Sequence, residues 1–110
     1  MDCLFCNIIA GNIPSEKLYE DDLCYAFYDI HPQAPIHFLV VPKVHFASAA
    51  DVTPENSAVV AHIYEVIAQL TKKMGMKSFR IVNNCGEDAG QTVFHIHFHV
   101  LGGKVMTEFA

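Results

Sequence analysis

Apolar residues recur along this chain at two spacings, and the change of spacing divides it into strands and one long helix. Leu18-Tyr19-Glu20 and Leu23-Cys24-Tyr25-Ala26-Phe27-Tyr28 read as two strands joined by the turn-forming pair Asp21-Asp22, a hairpin. Two prolines make a loop of Asp29-Ile30-His31-Pro32-Gln33-Ala34-Pro35. The β-branched run His37-Phe38-Leu39-Val40-Val41, closed by Pro42, is a third strand. Thr53, Pro54 and Glu55 then supply an N-cap, a first helical position and an acidic first turn. Val59, Val60, Ile63, Val66, Ile67, Leu70 and Met74 follow at helical spacing, and Lys72-Lys73 with Gly75 end the helix. Residues 78–84 read as a fourth strand, 86–91 as a loop and 94–101 as a fifth strand. Strands, helix, strands in that order make an α+β sheet with a helix packed on it.

The last strand carries the most informative chemistry, His95-Ile96-His97-Phe98-His99-Val100-Leu101. Side chains of an extended strand alternate between faces, so three imidazoles share one side while Ile96, Phe98 and Val100 enter a core on the other. Imidazole, with an ordinary pKa of about 6.5, serves as nucleophile, base or acid near neutrality, and it also binds metals. At about 3.3 Å per residue the outer two α-carbons lie roughly 13 Å apart, an awkward span for one tetrahedral ion. Separate jobs for the three histidines fit the spacing better.

Composition narrows the picture. With 110 residues, 52% of them hydrophobic and 17% charged, the chain is sized for one domain over residues 1–110. Seven Lys plus Arg against twelve Asp plus Glu leave a formal charge of −5, which argues against a nonspecific nucleic-acid binder. The start, Met1-Asp2-Cys3-Leu4-Phe5-Cys6, has no basic region followed by an apolar stretch, and no apolar run is long enough for a membrane. The expectation is therefore a cytoplasmic protein whose four cysteines are reduced thiols or metal ligands.

Two further features flank the histidines. Asn83-Asn84-Cys85-Gly86-Glu87-Asp88-Ala89-Gly90-Gln91-Thr92 brings glycines, amides and a hydroxyl beside them, groups suited to phosphate oxygens. Cys3-Leu4-Phe5-Cys6 is a Cys-x-x-Cys pair that needs two more ligands to hold zinc, and histidines can supply them. Cys24 and Cys85 carry no ligand role, while His31 and His62 read as solvent-facing residues of a loop and a helix.

Residues 95–101 resemble the signature of the histidine triad, or HIT, family: three histidines alternating with apolar residues and followed by two more. The resemblance extends to Ile13-Pro14, Tyr19-Glu20-Asp21-Asp22, Phe27-Tyr28-Asp29-Ile30, Pro32-Gln33-Ala34-Pro35, His37-Phe38-Leu39-Val40-Val41-Pro42-Lys43, Gly90-Gln91 and Leu101-Gly102-Gly103. The chain is most similar to the branch of nucleotide-binding purine nucleoside phosphoramidases. The resemblance implies a HIT-like fold, an antiparallel sheet of about five strands with one long helix and a short N-terminal helix. It also implies a homodimer that hydrolyses a nucleoside monophosphate, purine in this branch, from an amine or another leaving group.

Carried onto matching positions, the resemblance makes His97 the nucleophile and His99 a hydrogen-bond partner of a nonbridging phosphate oxygen. Asn84, Gln91 and Thr92 become neighbouring donors, and His37 sits behind the nucleophile to orient or polarise it. Asp29 matches a ribose-binding carboxylate, and Phe5, Ile8, Phe27 and Ile30 match a base pocket. A zinc ion held by Cys3, Cys6, His45 and His95 follows from relatives that carry the same N-terminal pair. Thr92 stands where many phosphoramidases have serine, adding a methyl beside the leaving group, and residues 104–110 form a short tail without tryptophan. A dinucleoside polyphosphate hydrolase or nucleotidyl transferase of the same superfamily, and a nucleotide-binding interaction protein with little turnover, are the alternative readings.

Overall fold

In the computed structural model, which describes residues 3–108, a five-stranded antiparallel sheet separates two helices of unequal length. Met1, Asp2, Phe109 and Ala110, the outer ends of the N-terminal segment and the tail discussed above, lie outside the described residues. The elements run α1 (Leu4–Ile9), β1 (Lys17–Glu20), β2 (Cys24–Tyr28), β3 (Ile36–Pro42), α2 (Ser57–Lys73), β4 (Phe79–Val82) and β5 (Phe98–Gly102). The strands lie side by side as β1-β2-β3-β5-β4, which puts β5 in the interior between β3 and β4. The expected α+β architecture, with its short and long helices, is the one observed.

Alternation along the strands builds two cores. Cys24, Ala26, Phe38, Val40, Ile96, Phe98 and Val100 face α2, whose Ile63, Val66, Ile67 and Leu70 complete that layer. Each fully buried aliphatic side chain there contributes roughly 1.5–3 kcal/mol relative to exposure. Tyr25, Phe27, Leu39 and Val41 point the other way and meet Phe5 and Ile8 of the short α1. A six-residue helix cannot cover a whole sheet face. The histidines lie on that same face, with Phe5 of α1 packed against His95 and His97.

Three boundaries differ from the sequence reading. The regular helix starts at Ser57, not just after Thr53, because residues 54–56 form a turn. Thr53 still caps in part, since its carbonyl accepts from Ser57 N–H at 2.9 Å and Asn56 Oδ1 accepts from Thr53 N–H at 2.7 Å. The fourth strand is shorter than the expected span of 78–84. The fifth begins at Phe98 rather than at residue 94, so His95 and His97 precede the strand that carries His99. Side chains and a loop replace the strand ladder there: Asn83 Nδ2 donates to His97 O at 2.8 Å, Gln91 Nε2 to Val93 O at 3.1 Å, and Ile96 N–H to Phe46 O at 2.9 Å. Inward and outward positions still alternate through this stretch, with Ile96 in the α2 core.

Candidate active site

The four histidines on or beside β3 and β5 differ in what holds their rings. His97 is buried, and its Nδ1–H donates to the carbonyl of His95 at 2.8 Å. A neutral imidazole has one N–H, so this bond leaves Nε2 with a free lone pair. The Phe5 ring packs on His97 at 5.0 Å and 86°, edge against face, which fixes the ring plane. Burial lowers the His97 pKa below its ordinary 6.5, opposed by the His95 carbonyl bond and the charge of Asp29, so the lone pair is available at neutral pH.

His99 is wired in the opposite sense. The backbone N–H of Gln33 donates to His37 Nδ1 at 3.1 Å, which leaves the proton of neutral His37 on Nε2. That N–H donates to His99 Nδ1 at 2.9 Å, so His99 carries its own proton on Nε2. Burial first, then the neighbouring His97 and His37, push the His99 pKa down to about 4 and keep it neutral. Burial likewise lowers His37, against the raising effect of Asp29, whose Oδ2 lies 3.4 Å from Nε2. A lone pair on His97 and an N–H on His99 thus stand side by side, ring centres 5.0 Å apart. His37 bonds to His99, not to His97 as expected of it; the group behind the His97 ring is the His95 carbonyl.

Both rings open into a cavity of about 530 Å³, an ordinary size for a small-molecule site. Phe5, Ile8, Phe27 and Ile30 line it, as do Asp29, Asn84 and Thr92. Phe5, Ile8 and Phe27 are buried, whereas Ile30 is 83% exposed at the rim. Asp29 Oδ1 accepts from His31 N–H at 2.8 Å, which ties the loop carboxylate in place. Gly90, with φ +96°, reverses the chain beside Asn84, a backbone form that other residues rarely adopt. Gln91 departs from expectation. Its buried amide donates to Ala47 O and Val93 O and accepts from Gly86 N–H, so no side-chain donor is left for an oxyanion, and it braces the loop instead.

Cys3, Cys6, His45 and His95 come together at the other end of the histidine row. His95 Nε2–H donates to Pro42 O at 2.8 Å, so its Nδ1 holds a lone pair. Facing that lone pair are His45 Nδ1 at 3.0 Å, Cys3 Sγ at 3.3 Å and Cys6 Sγ at 3.5 Å, with Cys6 Sγ 3.4 Å from His45 Nδ1. Four potential metal ligands, two sulfurs and two imidazole nitrogens, converge here. Their spacing is close to the roughly 3.5 Å between ligand atoms of a tetrahedral ion with sulfur and nitrogen ligands. The donor set therefore fits a metal ion. A second group, Asp21, Cys24 and His62, does not need one. Asp21 already accepts from His62 Nε2 at 2.6 Å, from the Tyr19 hydroxyl and from the N–H groups of Leu23 and Cys24. Burial raises the Asp21 carboxyl pKa, but these bonds outweigh it and hold the carboxyl far below its usual range. His62 is thus a half-buried partner of the β1–β2 turn, not the solvent-facing residue expected. His31 is exposed on the cavity rim.

Two contributors had no role in the sequence reading. Asn83 holds the His97 carbonyl, and Gln33 sets the tautomer of His37 through its backbone. Asn83 sits next to Asn84 in a visibly polar loop, where Asn84 lines the cavity and Asn83 turns to the His97 carbonyl. Nothing in a side-chain pattern marks a backbone N–H such as that of Gln33.

Comparison with known proteins agrees with this geometry. The family model described as "HIT domain" matches residues 10–106. A HIT-like protein of Synechocystis sp. is 43% identical over 104 residues, covering 94% of this chain and 91% of that protein. Protein HitA of Neisseria gonorrhoeae is 39% identical over 105 residues, covering 94% and 98%. Among solved structures, a histidine triad protein from Clostridium difficile superposes with a TM-score of 0.95 at 47% identity, covering 100% of this chain and 97% of that one. A HIT family hydrolase from Legionella pneumophila gives 0.94 at 42% identity, covering 96% of each. A histidine triad nucleotide-binding protein from Candida albicans gives 0.82 at 32% identity, covering 99% and 86%. With the family model spanning most of its length and the histidine-bearing sheet superposing on these neighbours, the chain belongs to the HIT domain family.

Proposed function

We propose that this protein is a nucleotide-binding hydrolase that cleaves a nucleoside monophosphate, preferentially a purine one, from an amine by way of a covalent nucleotidyl-histidine on His97. The observation that carries the reading is the pairing of a lone pair on His97 Nε2 with an N–H on His99 Nε2 at the wall of one cavity. Nε2 of His97 attacks the α-phosphorus, forming a P–N bond as the bond from phosphorus to the leaving amine breaks, and the amine departs with a proton from water. His99 donates to a nonbridging oxygen on which negative charge grows, and Asn84 and Thr92, which line the same cavity, are the neighbouring donors. Water then attacks phosphorus, the P–N bond to His97 breaks, and the nucleoside monophosphate leaves. Asp29 accepts the ribose hydroxyls, and Phe5, Ile8, Phe27 and Ile30 sandwich the base.

Names of similar proteins support the two halves of this reading, one a hydrolase and one nucleotide-binding. Zinc is the ion proposed for Cys3, Cys6, His45 and His95, since a Cys₂His₂ set with no open position is a structural zinc centre. When bound, zinc supplies a cross-link between the N-terminal helix and the segments carrying His45 and His95. We further propose one HIT domain over residues 1–110, working in the cytoplasm as a homodimer. The exposed Phe79 on the unpaired edge strand β4 favours a partner sheet there. Among the described residues no helix is long and apolar enough to cross a membrane.

Incubation with adenosine 5′-phosphoramidate tests the activity. Wild type should release AMP, and His97→Ala should lose at least about 10⁴-fold in kcat/KM. Equal rates for the two proteins would refute the reading, and cleavage of diadenosine tetraphosphate but not the phosphoramidate would favour the polyphosphate hydrolase.

A further inference from the structure

The metal-type cluster and the nucleophile are mechanically joined. His95 belongs to both: its ring nitrogen Nδ1 enters the Cys₂His₂ cluster, while its main-chain carbonyl is the acceptor that holds the proton of His97 on Nδ1. The ring of His95 is gripped at its other end as well, through Nε2–H to the carbonyl of Pro42 at the end of β3. A ring fixed at both nitrogens leaves its own backbone little room to turn. A second connection runs through α1. Cys3 and Cys6 bracket Phe5, and the Phe5 ring lies 5.0 Å from His97 and 6.0 Å from His95. Securing both sulfurs therefore secures the aromatic edge that fixes the plane of the nucleophile.

We infer that the Cys3–Cys6–His45–His95 cluster, when it holds its metal, positions His97 for attack, with His95 and Phe5 as the two positioning residues. This deepens the proposed function and rests on it for the identity of the nucleophile. Such a centre tunes turnover without touching substrate. With the metal gone, the four ligand groups separate, the His95 carbonyl and Phe5 relax, and His97 samples both tautomers. Only the tautomer with a free Nε2 can attack phosphorus, so the loss falls mainly on kcat. Partners that orient a reacting imidazole are commonly worth 10- to 100-fold, and a loss of about tenfold is expected here.

The test uses the full chain labelled with ¹⁵N-histidine, with its metal removed by a chelator and then restored with zinc, beside a His45→Ala variant that removes only an exposed ligand. The ring signals of His97 are assigned by their loss in His97→Ala. Metal removal should move the His97 ring nitrogens from a single Nδ1–H tautomer to a mixture, lower kcat about tenfold and change KM by less than about threefold, and zinc should reverse all three. His45→Ala should resemble the metal-free wild type and not respond to zinc. A protein shown to have lost its metal that keeps both its His97 signals and its kcat overturns the inference. So does a protein that takes up no zinc, or one that unfolds as a whole without it, since the metal would then hold the fold and not the nucleophile. If loaded wild type turns over no phosphoramidate, the proposed function fails, while the tautomer signals still decide whether the cluster and His97 are coupled.

Discussion

Two groups of histidines share one face of the same sheet, and the groups their rings meet separate them. At the His95 end, two imidazole nitrogens and two sulfurs meet in four contacts of 3.0–3.5 Å, a donor set that a cation fits. At the His99 end, donors and acceptors alternate from Gln33 N–H through His37 to His99, and every proton is accounted for. Residue type does not distinguish the two ends. What differs is the fixed group behind each ring: a Pro42 carbonyl turns the lone pair of His95 toward the sulfurs, and a backbone N–H turns the proton of His99 toward the cavity.

The sharpest way to break this contrast is to ask whether the ends fail separately. His97→Ala should lose at least about 10⁴-fold in turnover yet retain about one zinc per chain in elemental analysis. Cys3→Ser/Cys6→Ser should show the reverse, with zinc near zero and kcat reduced only about tenfold. Loss of metal in His97→Ala would merge the two groups into one, and equal zinc in the cysteine variant would remove Cys3 and Cys6 from the metal site.

A smaller effect tests the relay alone. His37→Ala removes the donor that sets the His99 tautomer and should lower kcat about 100-fold, the low end for a proton-positioning group. His37→Asn, whose amide keeps a donor, should recover part of that loss, whereas a purely structural role for His37 would leave both variants equally slow.

The smallest expected effect is on stability against pH. An unfolded histidine titrates near 6.5, whereas burial and its histidine neighbours hold folded His99 at about 4. Between those values the unfolded chain binds a proton that the fold refuses. The contribution is complete above pH 6.5, declines as pH falls toward about 4, and His99→Gln should make the urea midpoint fall less steeply across that window. An unchanged slope would mean that His99 is not held neutral by the fold.

Legibility of the structure from sequence followed the same physical divide. Alternation exposed the strands, helical spacing exposed the buried stripe of α2, and the triad pattern placed three histidines on the side opposite Ile96, Phe98 and Val100. The start of β5 is not legible, because the apolar alternation continues through residues 94–97 while the ladder does not. There the partners are Asn83, Gln91 and Phe46, chosen by a fold that brings distant segments together. The resemblance puts His37 in the site, but not its bond to His99, which reaches diagonally over a ladder that pairs His37 with Leu101. Gln91 looked like a phosphate donor because its amide is polar and near the triad. Only its burial reveals that both donors are engaged with carbonyls.

The central claim is that His97 alone on this face is the atom that bonds to phosphorus. Rapid acid-free quenching of wild type with excess adenosine 5′-phosphoramidate, followed by peptide mass spectrometry, measures it directly. The account predicts a transient peptide heavier by one adenylyl group, with fragment ions assigning the added mass to His97. An adduct on His99 or His95, or turnover with no adduct at any time sampled, would contradict it.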